Sequence, residues 1–290
     1  MTKRKSDFDV TKLRHIDGPC SRRNFGLCNV NNDIIYLVGG YGFDGYCSDI
    51  WIYNIKLNKW EIVSNDNDAI KKSGFSMNYY NNNIYLYHSE SGLWKYTLKN
   101  KYWEQIDGYI EPQPRKNASS VIYKHYLIVF GGCITGYQFR TNAIWIFDTI
   151  KNEWFKRVNT SNNPSARSNS KIAIHGDMLI ISGGIAGRRN SLTDTHAIDI
   201  NKLILNSNTT HKWIKMNQLL PNRIHVNIMG IYDSTLIFYG LFQEISKPSQ
   251  HITVMRHCNG IITALNFETY FESSNVLSKL INKYFKEHES

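Results

Sequence analysis

Short apolar runs alternate with turn-forming polar clusters along almost the whole chain. Ile34-Ile-Tyr-Leu-Val38, Leu127-Ile-Val-Phe130 and Met178-Leu-Ile-Ile-Ser182 are rich in β-branched and aromatic residues and are bounded by Gly and Asn turns such as Asn81-Asn-Asn83. Runs of that length and composition at regular spacing predict strands rather than helices. The period changes near the C-terminus. There Ser273-Ser274 can cap a helix whose Leu277, Leu280, Ile281, Tyr284 and Phe285 form an amphipathic stripe, expected to pack on the β domain as an accessory.

The strands belong to a repeat. Trp51-Ile-Tyr53 is followed by Trp60, Trp94-Lys-Tyr96 by Trp103, and Trp145-Ile-Phe147 by Trp154. In each case the central aromatic lies seven residues before the second Trp, and this pattern uses six of the seven tryptophans. Trp213 follows Ile198 in the same way after eight extra residues that include the polar stretch Asn206–Thr210. Upstream of the aromatics the apolar runs end in Gly39-Gly40, Gly131-Gly132 and Gly183-Gly184, with Tyr87-His88 and Tyr239-Gly240 as degenerate copies, at intervals of 48, 44, 52 and 56 residues. Four strands per repeat make one small twisted sheet that cannot bury both faces alone, so neighbouring sheets must stack with Trp and Tyr as filler. The glycine pair suits a tight turn where the sheets crowd together. Trp60, Trp103 and Trp154 are accordingly expected to be buried.

A period near 50 with a Gly-Gly strand end resembles the kelch repeat. The resemblance implies an all-β, kelch-type β-propeller over residues 10–266, preceded by a tail (1–9) and followed by the C-terminal α-helix (267–290). Five blades are expected, with Val10–Ile16 completing the blade begun at Ile224. Six is the alternative, if Ile261–Leu265 is the fifth blade's own outer strand. No BTB-like helical domain is expected before the first blade, a departure from kelch ubiquitin-ligase adaptors. The Asn-, Ile-, Lys- and Tyr-heavy composition is similar to that of poxvirus kelch proteins.

Charge and composition narrow the function. Thirty-four basic against 24 acidic residues give a net charge of +10. The cations are spread through every repeat with no tract beyond Lys3-Arg4-Lys5, which argues against nucleic acid as partner. No apolar run approaches the roughly 18 residues of a membrane span, and the N-terminus lacks the apolar stretch of a signal peptide. The five cysteines, Cys20, Cys28, Cys47, Cys133 and Cys258, show no C-x-x-C pair, which fits a reducing, cytoplasmic setting. There the sequons at Asn117, Asn159 and Asn208 are chance matches. Neither a phosphate-binding glycine loop nor a repeated Ser-x-Asp-x-Gly-x-Thr-Trp turn of the sialidase type occurs, and no nucleophile constellation can be assembled. No cofactor and no catalysis are expected. A propeller enzyme with a metal in its channel is the alternative, for which His251, His257 and Cys258 are the nearest grouping of ligands.

Surface loops remain. Those following the second strand of a repeat carry Tyr41, Phe43 and Tyr46 in the first, Tyr137, Phe139 and Arg140 in the third, and Arg188 and Arg189 in the fourth. Counting back 16 residues from Gly39, Tyr87, Gly131, Gly183 and Tyr239 reaches Arg23, Lys71, Arg115, Arg167 and Arg223, all basic. These cations either cap loop carbonyls and pair with acids of the fold, or hold the carboxylates of a ligand bidentately. The second alternative makes the chain a protein-interaction scaffold or substrate adaptor that binds an acidic segment, with Arg115, Arg167 and Arg223 as main contacts and Tyr41, Tyr137 and Phe139 beside them. Glu at Arg115 and Arg167 would then abolish binding without lowering the melting temperature. The kelch resemblance implies actin or a ubiquitin-ligase component as partner.

Overall fold

The computed structural model describes residues 18–64, 70–88, 91–108, 110–134, 139–157, 160–187, 190–205 and 211–216 with their side chains, apart from that of Asn190, and the backbone of strands 224–232, 235–242, 252–257 and 260–266. The expected strand Val10–Ile16, the helix at 267–290, and Tyr137, Arg188, Arg189, Arg223, His251 and Cys258 lie outside the described residues.

The chain is an all-β propeller, and its described residues form five four-stranded antiparallel sheets. Blade one comprises Gly26–Asn31, Ile34–Val38, Ile50–Asn54 and Lys59–Ser64, and blade two Ser76–Tyr80, Asn83–His88, Gly92–Thr97 and Tyr102–Ile106. Blade three comprises Ser119–Tyr123, Tyr126–Phe130, Ile144–Asp148 and Glu153–Arg157, and blade four Lys171–His175, Met178–Ser182, Thr195–Asp199 and Ile214–Met216. In these four blades each strand pairs with the next in chain order. Blade five departs from that order: Ile224–Tyr232 pairs with Thr235–Phe242, which pairs with Gly260–Asn266, and Ile252–His257 takes the outer edge. Ile261–Leu265 is therefore the third strand of its sheet and not the outer one.

Two compact units divide the chain, Met1–Tyr109 with blades one and two and Ile110–Ser290 with blades three to five. Each has its own apolar core. Tyr36, Val38, Ile50, Phe75, Met77, Ile84 and Leu86 meet in the first, and Ile128, Phe130, Ile146, Leu179, Ile181 and Trp213 in the second.

The aromatic spacing has a direct cause in the hairpin of third and fourth strands. Tyr53 faces Trp60, Tyr96 faces Trp103 and Phe147 faces Trp154 as cross-strand partners, with ring centroids 5.0, 5.0 and 5.1 Å apart. Trp103 and Trp154 are buried as expected, whereas Trp60 is only half-buried. In blade four the extra residues include a short helix, Ile200–Leu205, which buries Ile200, Leu203 and Ile204. Arg157 donates to the Leu203 and Ile204 carbonyls (2.6 and 2.7 Å), satisfying acceptors that the helix end leaves open.

Each glycine pair turns through positive φ, 56° and 99° at Gly39-Gly40 and 69° and 96° at Gly131-Gly132. A Cβ at Gly131 would lie 2.6 Å from the Arg167 carbonyl oxygen, so only glycine lets the chain leading into the next blade approach this closely. That approach forms a bond: Gly132 N–H donates to Arg167 O (2.9 Å), and Gly40 N–H likewise to Lys72 O (3.0 Å).

Candidate functional site

Behind the glycine corners lie buried guanidinium groups that sequence counting located only in part. All five N–H groups of Arg167 are used: Nε donates to Ser165 O, Nη1 to Gly183 O and Asp194 Oδ1, and Nη2 to Ser165 Oγ and Asp194 Oδ2, at 2.7–3.0 Å. The side chain is 0% exposed. Arg22 repeats the arrangement in blade one, with Cys20 O, Gly39 O, Cys20 Sγ and the two oxygens of Asp49 as acceptors. The carboxylates are anchored from the other side as well. Trp51 Nε1 donates to Asp49 Oδ2 (2.7 Å), and His196 Nε2 lies 2.9 Å from Asp194 Oδ2.

Electrostatics follow from this geometry. Burial alone would raise the pKa of both carboxyl groups, but the bonds from Arg22 and Trp51 hold Asp49 below its ordinary value, and those from His196 and Arg167 hold Asp194 well below the usual carboxylate range. Burial likewise opposes the charge on Arg22, and the hydrogen bonds and charge of Asp49 outweigh it, so the guanidinium is held above its ordinary pKa.

The basic positions share a register four residues before the first paired residue of blades one to four: Arg22 before Gly26, Lys72 before Ser76, Arg115 before Ser119 and Arg167 before Lys171. Arg23 and Lys71 are thus neighbours of that register and not members of it. Two local causes account for the offsets. In blade one the pairing of first and second strands shifts between Asn29 and Asn31, which inserts one residue between Arg22 and the glycine pair. In blade two Tyr87 pairs with Ser76 and so stands where Val38 stands in blade one, one residue before the place of Gly39.

Arg115 is buried and donates from Nε to Gln113 O (2.9 Å). Its blade has Ala143 in the place of the acid, since Gly131 N–H donates to Ala143 O just as Gly39 and Gly183 donate to Asp49 and Asp194. For Arg167 the pairing with an acid of the fold is what the structure shows. All its N–H donors are engaged by the fold, so a Glu in its place should lower the stability of the blade rather than leave it unchanged.

Cations and aromatics do meet on the loops. In the first unit Tyr41-Gly42 and Gly45-Tyr46 form a two-stranded hairpin with Phe43 at its tip, 99% exposed. Tyr41 and Tyr46 pack edge to face at 5.2 Å, and the Arg23 guanidinium carbon lies 5.2 Å from the Tyr41 ring centroid. Reciprocal backbone hydrogen bonds between Arg23 and Tyr41 (3.0 and 2.9 Å) fix the two together. Lys71 is exposed. In the second unit Phe139 is 68% exposed and Lys116 is exposed. Arg140 ties two loops together, donating from Nε to Ser168 Oγ (3.1 Å) and from Nη1 to Gly187 O.

No group of three or more His, Cys, Asp or Glu side chains suited to a metal occurs among the described residues. Among them no helix is long and apolar enough to cross a membrane.

Comparison with known proteins fits this architecture. The model of the KLHDC2/KLHL20/DRC7 Kelch-repeats domain matches residues 87–240, and that of the Kelch motif matches residues 21–67. The chain belongs to the kelch-repeat family. Its similar relatives include Kelch domain-containing protein 2 of Bos taurus, 24% identical over 219 residues that cover 64% of this chain and 51% of that protein. The Mus musculus protein of the same name is 25% identical over 179 residues, covering 50% and 44%. Spermatocyte protein spe-26 of Caenorhabditis elegans is 24% identical over 170 residues, covering 53% and 28%. The kelch chain thus spans about half or less of the length of these curated relatives. Kelch-repeat propellers are in general non-catalytic domains that mediate protein–protein interaction.

Sequence reasoning missed Arg22, Asp49, Lys72, Lys116 and Asp194. A signal was present for two of the pairs, because Arg22–Asp49 and Arg167–Asp194 share a separation of 27 residues.

Proposed function

We propose that this kelch propeller is a non-catalytic protein-interaction module, a scaffold or substrate adaptor, that takes an acidic segment of its partner on its exposed aromatic and cationic loops. The observation that carries the reading is the hairpin of the first unit, where Phe43 projects into solvent beside Tyr41, Tyr46 and Arg23. Arg23 is exposed and makes no ion pair among the described residues. Aromatic rings with an Arg on a fixed loop are the composition of binding hot spots, and a guanidinium stacked on a ring keeps its N–H edge available to a carboxylate. In the second unit Phe139 and Lys116 are each exposed and extend the candidate surface to a second loop.

Synthetic acidic peptides titrated by fluorescence anisotropy against the full chain test the reading. Arg23→Glu with Phe43→Ser is one variant and Lys116→Glu with Phe139→Ser the other. At least one should weaken binding by about tenfold or more, as hot-spot loss does, with an unchanged melting temperature. Binding that survives in both, or no binding of acidic peptides by the unaltered chain, rejects it. Actin and ubiquitin-ligase components are the first proteins to test as the source of such a segment.

A further inference from the structure

Five cysteines scattered along the sequence suggested no pairing, yet the fold brings two of them together. Cys20, on the segment leading to Arg22, and Cys47, just past the Tyr41–Tyr46 hairpin, have their Sγ atoms 4.0 Å apart. Cys20 is exposed and Cys47 half-buried, and both are reduced. What lies between them is Gly42. A Cβ there would stand 3.3 Å from each sulfur, so the absence of a side chain at this position keeps a clear path between the two thiols. Their backbones are also held: Cys47 N–H donates to Gly40 O (2.9 Å), and Cys20 O and Sγ each accept from Arg22 (3.2 Å).

We propose that Cys20 and Cys47 form a reversible intramolecular disulfide under hydrogen peroxide, a redox modification site at the foot of the aromatic hairpin. Closing the gap from 4.0 Å to a bond length of about 2.05 Å needs each sulfur to move about 1 Å. Its exposure makes Cys20 the first to meet peroxide. Its thiolate attacks one peroxide oxygen and the O–O bond breaks, giving a sulfenic acid and hydroxide. Attack by the Cys47 thiolate on that sulfur then forms the S–S bond and expels a second hydroxide. The two thiol protons and two hydroxides make two waters. Two thiols are thereby oxidised and one peroxide is reduced. Cys28 is shielded from this chemistry, being buried, with its thiol pKa pushed up to about 12 by desolvation. The crosslink joins residues 27 positions apart and pins the segment leading into blade one against the hairpin, whatever that hairpin binds.

The test uses the full chain, reduced, desalted and exposed to a small excess of hydrogen peroxide, with thiols counted by maleimide mass tagging under denaturing conditions. The count should fall from five to three without dimer formation, the melting temperature should rise, and dithiothreitol should reverse both. Cys20→Ser and Cys47→Ser should each prevent the paired loss, whereas Cys28→Ser should still lose two thiols. An unchanged count in the unaltered protein, the same paired loss in either Ser variant, or products that are dimers or sulfinic acids would overturn the proposal.

Discussion

Removing the Asp194 carboxylate breaks the ion pair that holds the buried Arg167 of the second unit. Asp194→Ala leaves the Arg167 guanidinium at 0% exposure with its bonds to Ser165 and Gly183 but without the two charge-assisted bonds at 2.7 and 2.9 Å, and it deprives His196 of its partner. Breaking a buried pair by deleting one partner costs about 3–5 kcal/mol, because the remaining charge stays desolvated. The Asp194 side chain is itself 22% exposed, so water can enter where it stood and the lower figure, about 3 kcal/mol, is expected. The unit spans Ile110–Ser290, a size at which 1 kcal/mol shifts the melting temperature by roughly 2–4 °C, which gives a fall of about 6–12 °C. Tryptophan fluorescence follows it, since Trp213 lies 6.4 Å from the His196 ring.

The same variant has a pH signature. Because the folded-state pKa of Asp194 lies below its unfolded value of about 3.9, its stabilisation is complete above that value and is lost as pH falls through the folded pKa. The gap between unaltered and variant protein should therefore be constant near neutrality and narrow below about pH 4. A fall of less than 2 °C at pH 7, or a gap that widens in acid, would show that the buried arginine is held by its carbonyl acceptors alone.

Other substitutions separate packing from backbone effects. Trp103→Ala and Trp154→Ala should each cost about 3–5 kcal/mol in denaturant titrations, and Trp60→Ala clearly less, because only the first two rings are buried. Gly187→Ala, at φ 55° with open space around it, should cost about 1–2 kcal/mol from the left-handed backbone alone. Gly131→Ala should cost more than that, since its new methyl group would meet the Arg167 carbonyl. Equal losses at the two glycines would mean that close approach of the blades contributes nothing.

What the sequence determined by itself was whatever repeats within one hairpin or one turn. The seven-residue spacing of aromatic and Trp is the geometry of a third strand turning directly into a fourth, so Tyr53 and Trp60 had to face each other wherever the blade lay. The glycine pairs were legible for the same reason, since positive φ is a local demand. Tertiary structure decided what depends on partners distant in the chain. The basic register slipped at Arg23 and Lys71 because one irregular pairing near Asn29 and one altered strand end at Tyr87 each shift the count by a residue, and only interstrand hydrogen bonds fix that count. Whether a cation enters an ion pair of the fold turned on an acid 27 residues away, which Arg22 and Arg167 have and Arg23, exposed against Tyr41, lacks. The outer position of Ile252–His257 in blade five and the meeting of Cys20 with Cys47 have the same origin. Composition and periodicity state which residues prefer to be buried or turned, but pairing between segments is chosen by the free energy of the whole packed sheet.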